Sequence, residues 1–202
     1  MFDAMLRPLI DPPLNRAGRW LAARGVTANA LTASGLGLGL LAAAAVAGGQ
    51  MLPALLLILG SRLLDGLDGA VARATAKTPF GGYIDIVADF IFYVSIPLAF
   101  ATLAPANLLP AAILLASFAL TGVSFLALAS VAAGAGLSTR AHGEKSLFYS
   151  TGIAEGGETI LFFLSVCLWP ALFPALALLF AVLCALTVVQ RTLLAWKLLG
   201  PS

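Results

Sequence analysis

The sequence predicts an all-α integral membrane protein: six transmembrane helices behind an N-terminal interfacial amphipathic helix, folded as one membrane domain over residues 1–202. Three observations carry this expectation. Hydrophobic residues make up 61% of the chain and charged residues 10%, whereas water-soluble domains carry about 25% charge. The apolar residues gather in blocks near the ~20 residues that span a bilayer. Ionic residues fall on alternate connections between those blocks.

The first 28 residues form a cytoplasmic juxtamembrane segment ahead of the six-helix domain of residues 29–202. In "DPPLNRAGRWLAARGV", Leu14, Ala17 and Leu21 recur at helical spacing against Arg16, Arg19 and Arg24. Trp20 is available as an interface anchor. Two compatible readings stand: a helix lying on the membrane, or a basic flank that sets topology. Arg7 and its three companions give a lead too long for a secretory n-region, so no cleavable signal is expected.

The six spans are expected near 29–48, 52–74, 80–103, 109–136, 148–168 and 172–196. Their first, third and fifth connections, "GGQMLP", "TLAPANLLP" and "WPALFP", have no ionic residue. The other two carry Lys77, and Arg140 with Lys145. Cytoplasmic loops are enriched in Lys and Arg, which puts both termini on the cytoplasmic side. No inverted internal repeat divides the chain. The net charge of +2 argues against a nucleic-acid partner. Cys167 and Cys184 stand alone in apolar runs, where cysteine packs as a small hydrophobe.

Of nine acidic residues, Asp65, Asp68, Asp85, Asp89, Glu155 and Glu158 fall inside expected spans. A central Asp costs about 2.5–3.5 kcal/mol to insert, so these groups must face protein, water or a ligand. Asp65 and Asp68 are three apart on the second span, and Asp85 and Asp89 four apart on the third, so each pair shares a helical face. Counted from the turn near Lys77, the four sit at matching depths in an antiparallel hairpin, within a few turns of the cytoplasmic surface. Four facing carboxylates would not all ionise without cations, and two divalent ions cancel their charge. The donors are hard oxygens, which suit Mg²⁺ or Mn²⁺. A two-metal site of this kind chiefly handles phosphoryl groups.

The residues around the aspartates agree. Gly66, Gly69 and Ala72 keep that face open to a ligand or a neighbouring helix. Arg73 can hold phosphate oxygens bidentately. Gly81 and Gly82 start the third span without bulk.

Asp65, Asp68, Gly69, Ala72, Arg73, Gly81, Asp85 and Asp89 match the pattern D-x2-D-G-x2-A-R…G-x3-D-x3-D, and the chain thereby resembles the CDP-alcohol phosphotransferases. Seven residues separate Arg73 from Gly81, one fewer than is usual, which leaves Gly81 and Gly82 as alternatives for the motif glycine. "NALTASG", from Asn29 to Gly35, is similar to the family's first helix. The resemblance implies two metal ions held by Asp65, Asp68, Asp85 and Asp89, bound to the pyrophosphate of a CDP-linked lipid. It also implies a donor site formed by Asn29, Asp65, Gly69, Ala72, Arg73 and Gly81. Asp89 would act as general base on a small polar alcohol acceptor, with CMP expelled, and the protein would be a homodimer among membrane lipids.

Other residues admit two readings each. Arg140, Lys145 and Arg191 either bind a phosphate on the acceptor or set topology. Glu155 and Glu158 either line the acceptor pocket or pair with Arg62, which is too deep for a loop charge. His142 reads as a surface residue. "GLGLG", residues 35–39, reads as helix packing. Two functions compete: a CDP-alcohol phosphatidyltransferase, and a divalent-cation or proton-coupled transporter using the same carboxylates. A permeation route needs polar groups through the full thickness, and the outer halves of the spans have almost none. A catalytically idle lipid-binding relative is a third reading, disfavoured by the intact aspartate set.

Overall fold

The structure, a computed structural model, describes residues 2–135 and 152–199. Seven α-helices follow in chain order: α1 Phe2–Ala23, α2 Ala28–Ala47, α3 Met51–Ala74, α4 Pro79–Ala101, α5 Pro105–Gly134, α6 Gly156–Leu168 and α7 Phe173–Leu199, the last entered through a 3-10 turn, Pro170–Leu172. Among the described residues there is no strand.

Local chemistry explains the helix ends. Gly25 (φ +81°) and Gly49 (φ +72°) take left-handed conformations just past α1 and α2. The following amides, of Val26 and Gln50, reach back to the carbonyls of Leu21 and Ala45 at 3.1 and 2.8 Å. This satisfies carbonyls that a helix end leaves without partners. Thr27 caps α2 by accepting from the Ala30 amide at 3.2 Å. Thr78 caps α4 by accepting from the Gly81 amide at 3.0 Å, with Pro79 in the first helical turn. Proline loses nothing there, because its missing N–H would have no helical partner.

α2 packs on both α3 and α4, α3 also meets α1 and α6, and α5 lies against α7. The core is a column of rings: Phe92, Phe118, Phe162, Phe163 and Phe180 pack edge to face or stacked, with Phe100 stacked on Phe173 at 4.6 Å. "GLGLG" serves packing. A Cβ on Gly39 would stand 2.6 Å from the Phe92 ring, and one on Gly35 would stand 3.3 Å from the Ser61 carbonyl, while Gly37 has open space. Ser61 Oγ donates to the Gly35 carbonyl at 2.7 Å across the same seam. Cys167 and Cys184 are buried thiols, as expected.

Among the described residues, four segments are long and apolar enough to cross a membrane: α2, α4, α5, and the 3-10 turn with α7. They expose large apolar side chains such as Leu41, Leu98, Leu120 and Leu179, each more than half exposed. Water would not support so much exposed apolar surface, and lipid does. The chain is thus a multi-pass membrane protein. Of the six expected spans, α3 has the length, but Arg62, Asp65, Asp68 and Arg73 keep it out of the apolar class. α6 has only 13 residues, because residues 152–155 ahead of it are not helical; 148–151 lie outside the described residues.

The N-terminal segment is helical from Phe2, longer than its pattern suggested. Leu14, Ala17 and Leu21 are half-buried and Gly18 is buried, whereas Arg16, Arg19 and Trp20 are exposed. Its small-residue face lies directly on α3. A Cβ on Gly18 would meet the Ala70 backbone at 2.7 Å, and one on Gly66 would meet a Leu14 methyl at 3.2 Å.

Candidate active site

α3 and α4 each pack on α2 while making little close approach of their own. Gly35 and Gly39 let both helices settle deeply on α2, and the aspartates project into the space left between them. Oxygens of Asp65, Asp68 and Asp85 all lie within 4.8 Å of one another. Asp68 is buried and accepts a hydrogen bond from Thr32 Oγ1 at 2.7 Å. Three hard oxygens from two helices at this spacing fit a Mg²⁺- or Mn²⁺-type ion.

Asp89 stands apart from that trio. Its Oδ1 accepts from Arg62 Nη1 at 2.7 Å, and the same nitrogen is 3.5 Å from Asp65 Oδ1. Arg62 also donates to Ser61 Oγ at 3.1 Å and lies 4.0 Å over the Phe92 ring. The arginine therefore ties α3 to α4. The expected partners of Arg62, Glu155 and Glu158, do not take that place. Glu155 caps α6 and Glu158 closes the capping box, accepting from the Glu155 amide at 3.3 Å. The correction has a simple cause: α6 begins at Gly156, so both glutamates sit at its first turn and not deep inside it, where they suit the positive end of the helix.

Two cavities meet at the aspartates, sharing Lys77, Gly82 and Asp85. One, of about 640 Å³, is lined by Asn29, Thr32, Asp68, Gly69, Ala72, Arg73 and Gly81 among others. These include every residue expected at the donor except Asp65. The other, of about 520 Å³, is lined by Asp89, Tyr93, Thr121, Glu155, Thr159 and Arg191 among others. Arg191 is buried, and its Nη1 donates to the Thr121 carbonyl at 2.8 Å and to Ser124 Oγ at 3.3 Å. Thr187 Oγ1, one turn earlier on α7, accepts from the amides of Ile153 and Ala154 at 3.1 and 2.9 Å. That pins the chain leading into Glu155 against α7. Arg140, Lys145 and His142 lie outside the described residues.

Geometry also separates the two glycines. A Cβ at Gly81 would stand 2.9 Å from Thr78 Oγ1 and 3.2 Å from Asn29 Oδ1, while one at Gly82 would meet nothing within 4 Å. The need for glycine falls on Gly81. Thr32, Tyr93, Thr121 and Thr159 line the cavities and were not singled out from sequence. Thr32 carried a signal, since it is the threonine of "NALTASG".

The family model for CDP-alcohol phosphatidyltransferase matches residues 25–199. The inner membrane protein YnjF of Escherichia coli is 44% identical over 192 residues, covering 95% of this chain and 93% of that one. An archaetidylinositol phosphate synthase of Pyrococcus horikoshii is 42% identical over 93 residues, covering 45% of this chain and 49% of its own. The crystal structure of the phosphatidylinositol phosphate synthase of Mycobacterium tuberculosis, with CDP-DAG bound, shares the fold. It superposes with a TM-score of 0.73 at 20% identity, over 91% of this chain and 94% of that one. The aspartate trio thus sits within a matched segment that runs almost from end to end, and the chain belongs to the CDP-alcohol phosphatidyltransferase family.

Proposed function

We propose that the protein makes phospholipid by moving a phosphatidyl group from CDP-diacylglycerol to a polar alcohol, such as glycerol 3-phosphate or an inositol phosphate, with release of CMP. The observation that carries this reading is the junction of two cavities at Asp85. Residues expected at the nucleotide line one, while Glu155 and Arg191, expected at the acceptor, line the other beside Asp89. A transfer between two substrates needs such a shared wall, because the reacting atoms must come within about 3–3.5 Å of each other.

Asp65, Asp68 and Asp85, with Asp89, would hold Mg²⁺ or Mn²⁺, two ions being what the family resemblance implies. Bound there, the metal would spread the negative charge of the pyrophosphate and of departing CMP. Thr32 fixes Asp68 in place for this task. Arg73 and Gly69 would contact the nucleotide part. Asp89 would take the proton from the acceptor hydroxyl: Arg62 holds its Oδ1, and Oδ2 makes no bond among the described residues. The acceptor oxygen then bonds to the β-phosphorus as the bond from that phosphorus to the CMP oxygen breaks, and CMP leaves with the electron pair.

By the same reading the chain is one six-span domain with both termini and the site's opening on the cytoplasmic side, and it works as a homodimer. Purified protein given CDP-diacylglycerol, Mg²⁺ or Mn²⁺ and a panel of alcohols should release CMP only when a suitable acceptor is present. Release of CMP that needs no acceptor would overturn the transferase reading, as would no release with any acceptor of the panel. The transporter alternative gains no support from the family match.

A further inference from the structure

We infer that Asn15, on α1 and outside the family's aspartate pattern, is a positioning residue that aims Arg73 at the nucleotide. The inference rests on the proposed nucleotide role of Arg73. Asn15 Oδ1 accepts two hydrogen bonds from one guanidinium, from Arg73 Nε at 3.0 Å and from Nη2 at 2.9 Å. The residues are 58 apart in sequence. A guanidinium has five N–H groups in a rigid plane. Anchoring Nε and one N–H of Nη2 leaves three, on the edge away from α1. Arg73 lines the larger cavity and Asn15 does not, so the asparagine holds the arginine from behind.

Gly69 shows which way the fork is turned. A Cβ there would lie 3.3 Å from Arg73 Nη1, so this nitrogen lies over the bare glycine backbone. The motif helix therefore has two working faces. Gly69, Ala72 and Arg73 look into the cavity. Gly66 and Ala70 receive Leu14 and Gly18 of α1, contacts close enough to fix the register that brings Asn15 to Arg73. An exposed arginine otherwise samples many rotamers, and ordering it in advance lowers the entropy lost on binding.

The test is a double-mutant cycle on CDP binding, measured on the purified full-length protein in detergent with Mg²⁺ or Mn²⁺ present. Asn15→Ala should weaken CDP binding about tenfold, the size expected for losing a charge-assisted hydrogen-bond pair. In turnover it should raise KM for CDP-diacylglycerol and leave kcat within about twofold. Asn15→Asp, which keeps the acceptor, should stay within about threefold of the parent. On an Arg73→Ala background, Asn15→Ala should change nothing further. If Arg73→Ala weakens binding and Asn15→Ala does not, the inference fails and the reading of the cavity stands. If Arg73→Ala itself binds CDP normally, that reading fails. Equal losses on both backgrounds, or the same loss from Leu14→Ala, would reduce Asn15 to a helix-docking residue and overturn the inference.

Discussion

Arg62 Nη1 lies 2.7 Å from Asp89 Oδ1, joining the middle of α3 to α4 beside the aspartate trio. The arginine's side chain is only 10% exposed, and that of Asp89 is 31% exposed. It is further held by Ser61 and the Phe92 face, and it lines neither cavity. That placement suits it to orienting the carboxylate. Removing a hydrogen bond to a charged group costs about 1.5–3 kcal/mol, so Arg62→Ala should lower kcat about tenfold to hundredfold. KM for the CDP-linked donor should stay near the parent value, and steady-state CMP release separates the two parameters.

Asp89 and the trio should fail differently. Asp89→Asn removes the proposed proton acceptor, so kcat should fall about 10²–10⁴-fold while CDP still binds in the presence of metal. Asp68→Asn removes one carboxylate of the proposed metal set, so metal-dependent CDP binding should be lost along with turnover. Calorimetric titration of CDP with and without Mg²⁺ distinguishes the variants.

Thr32 offers a gentler probe. Its hydroxyl donates to buried Asp68 at 2.7 Å, and valine keeps the shape without the donor. A buried acceptor that loses its partner costs about 1–3 kcal/mol. Thr32→Val should therefore lower thermal stability in metal-free detergent and raise the Mg²⁺ concentration for half-maximal CMP release. Wild-type behaviour in both measurements would mean that Thr32 does not fix Asp68.

The glycine pair gives a contrast in packing. Gly81→Ala places a methyl 2.9 Å from Thr78 Oγ1 and 3.2 Å from Asn29 Oδ1, disturbing the α4 cap and the cavity wall together. Overpacking of this kind costs about 1–3 kcal/mol. Gly82→Ala enters open space and should be near neutral. Melting temperature and donor KM should both move for the first substitution and neither for the second.

The aspartates were legible because helical periodicity alone fixes which residues share a face: spacings of three and four put Asp65 with Asp68 and Asp85 with Asp89. What those faces meet depends on a third helix. α3 and α4 both pack on α2, and from that arrangement Arg62 reaches Asp89 and not a glutamate at the start of α6. The start of α6 was misjudged for a related reason. "GIAEGGETI" has the composition of a span, but Thr187 takes the amides of Ile153 and Ala154, and that long-range bond holds the segment out of helix. Asn15 was invisible because an asparagine among arginines has no signature until its partner is known.

Arg191 offers a test of what the acceptor carries. It is buried on α7, bonded to Thr121 and Ser124, and lines the smaller cavity with Asp89 and Glu155. A buried guanidinium facing a cavity is suited to a phosphate, which it can meet with two N–H groups, whereas lysine offers a point charge. If the acceptor is a phosphorylated alcohol, Arg191→Gln should raise its KM about tenfold to hundredfold while donor KM stays put, and Arg191→Lys should recover part of the loss. Parallel kinetics on glycerol 3-phosphate, an inositol phosphate and their unphosphorylated parents check this. A variant that loses all acceptors equally would instead place Arg191 in the support of α5 and α7, where it already bonds the Thr121 carbonyl across the helix pair.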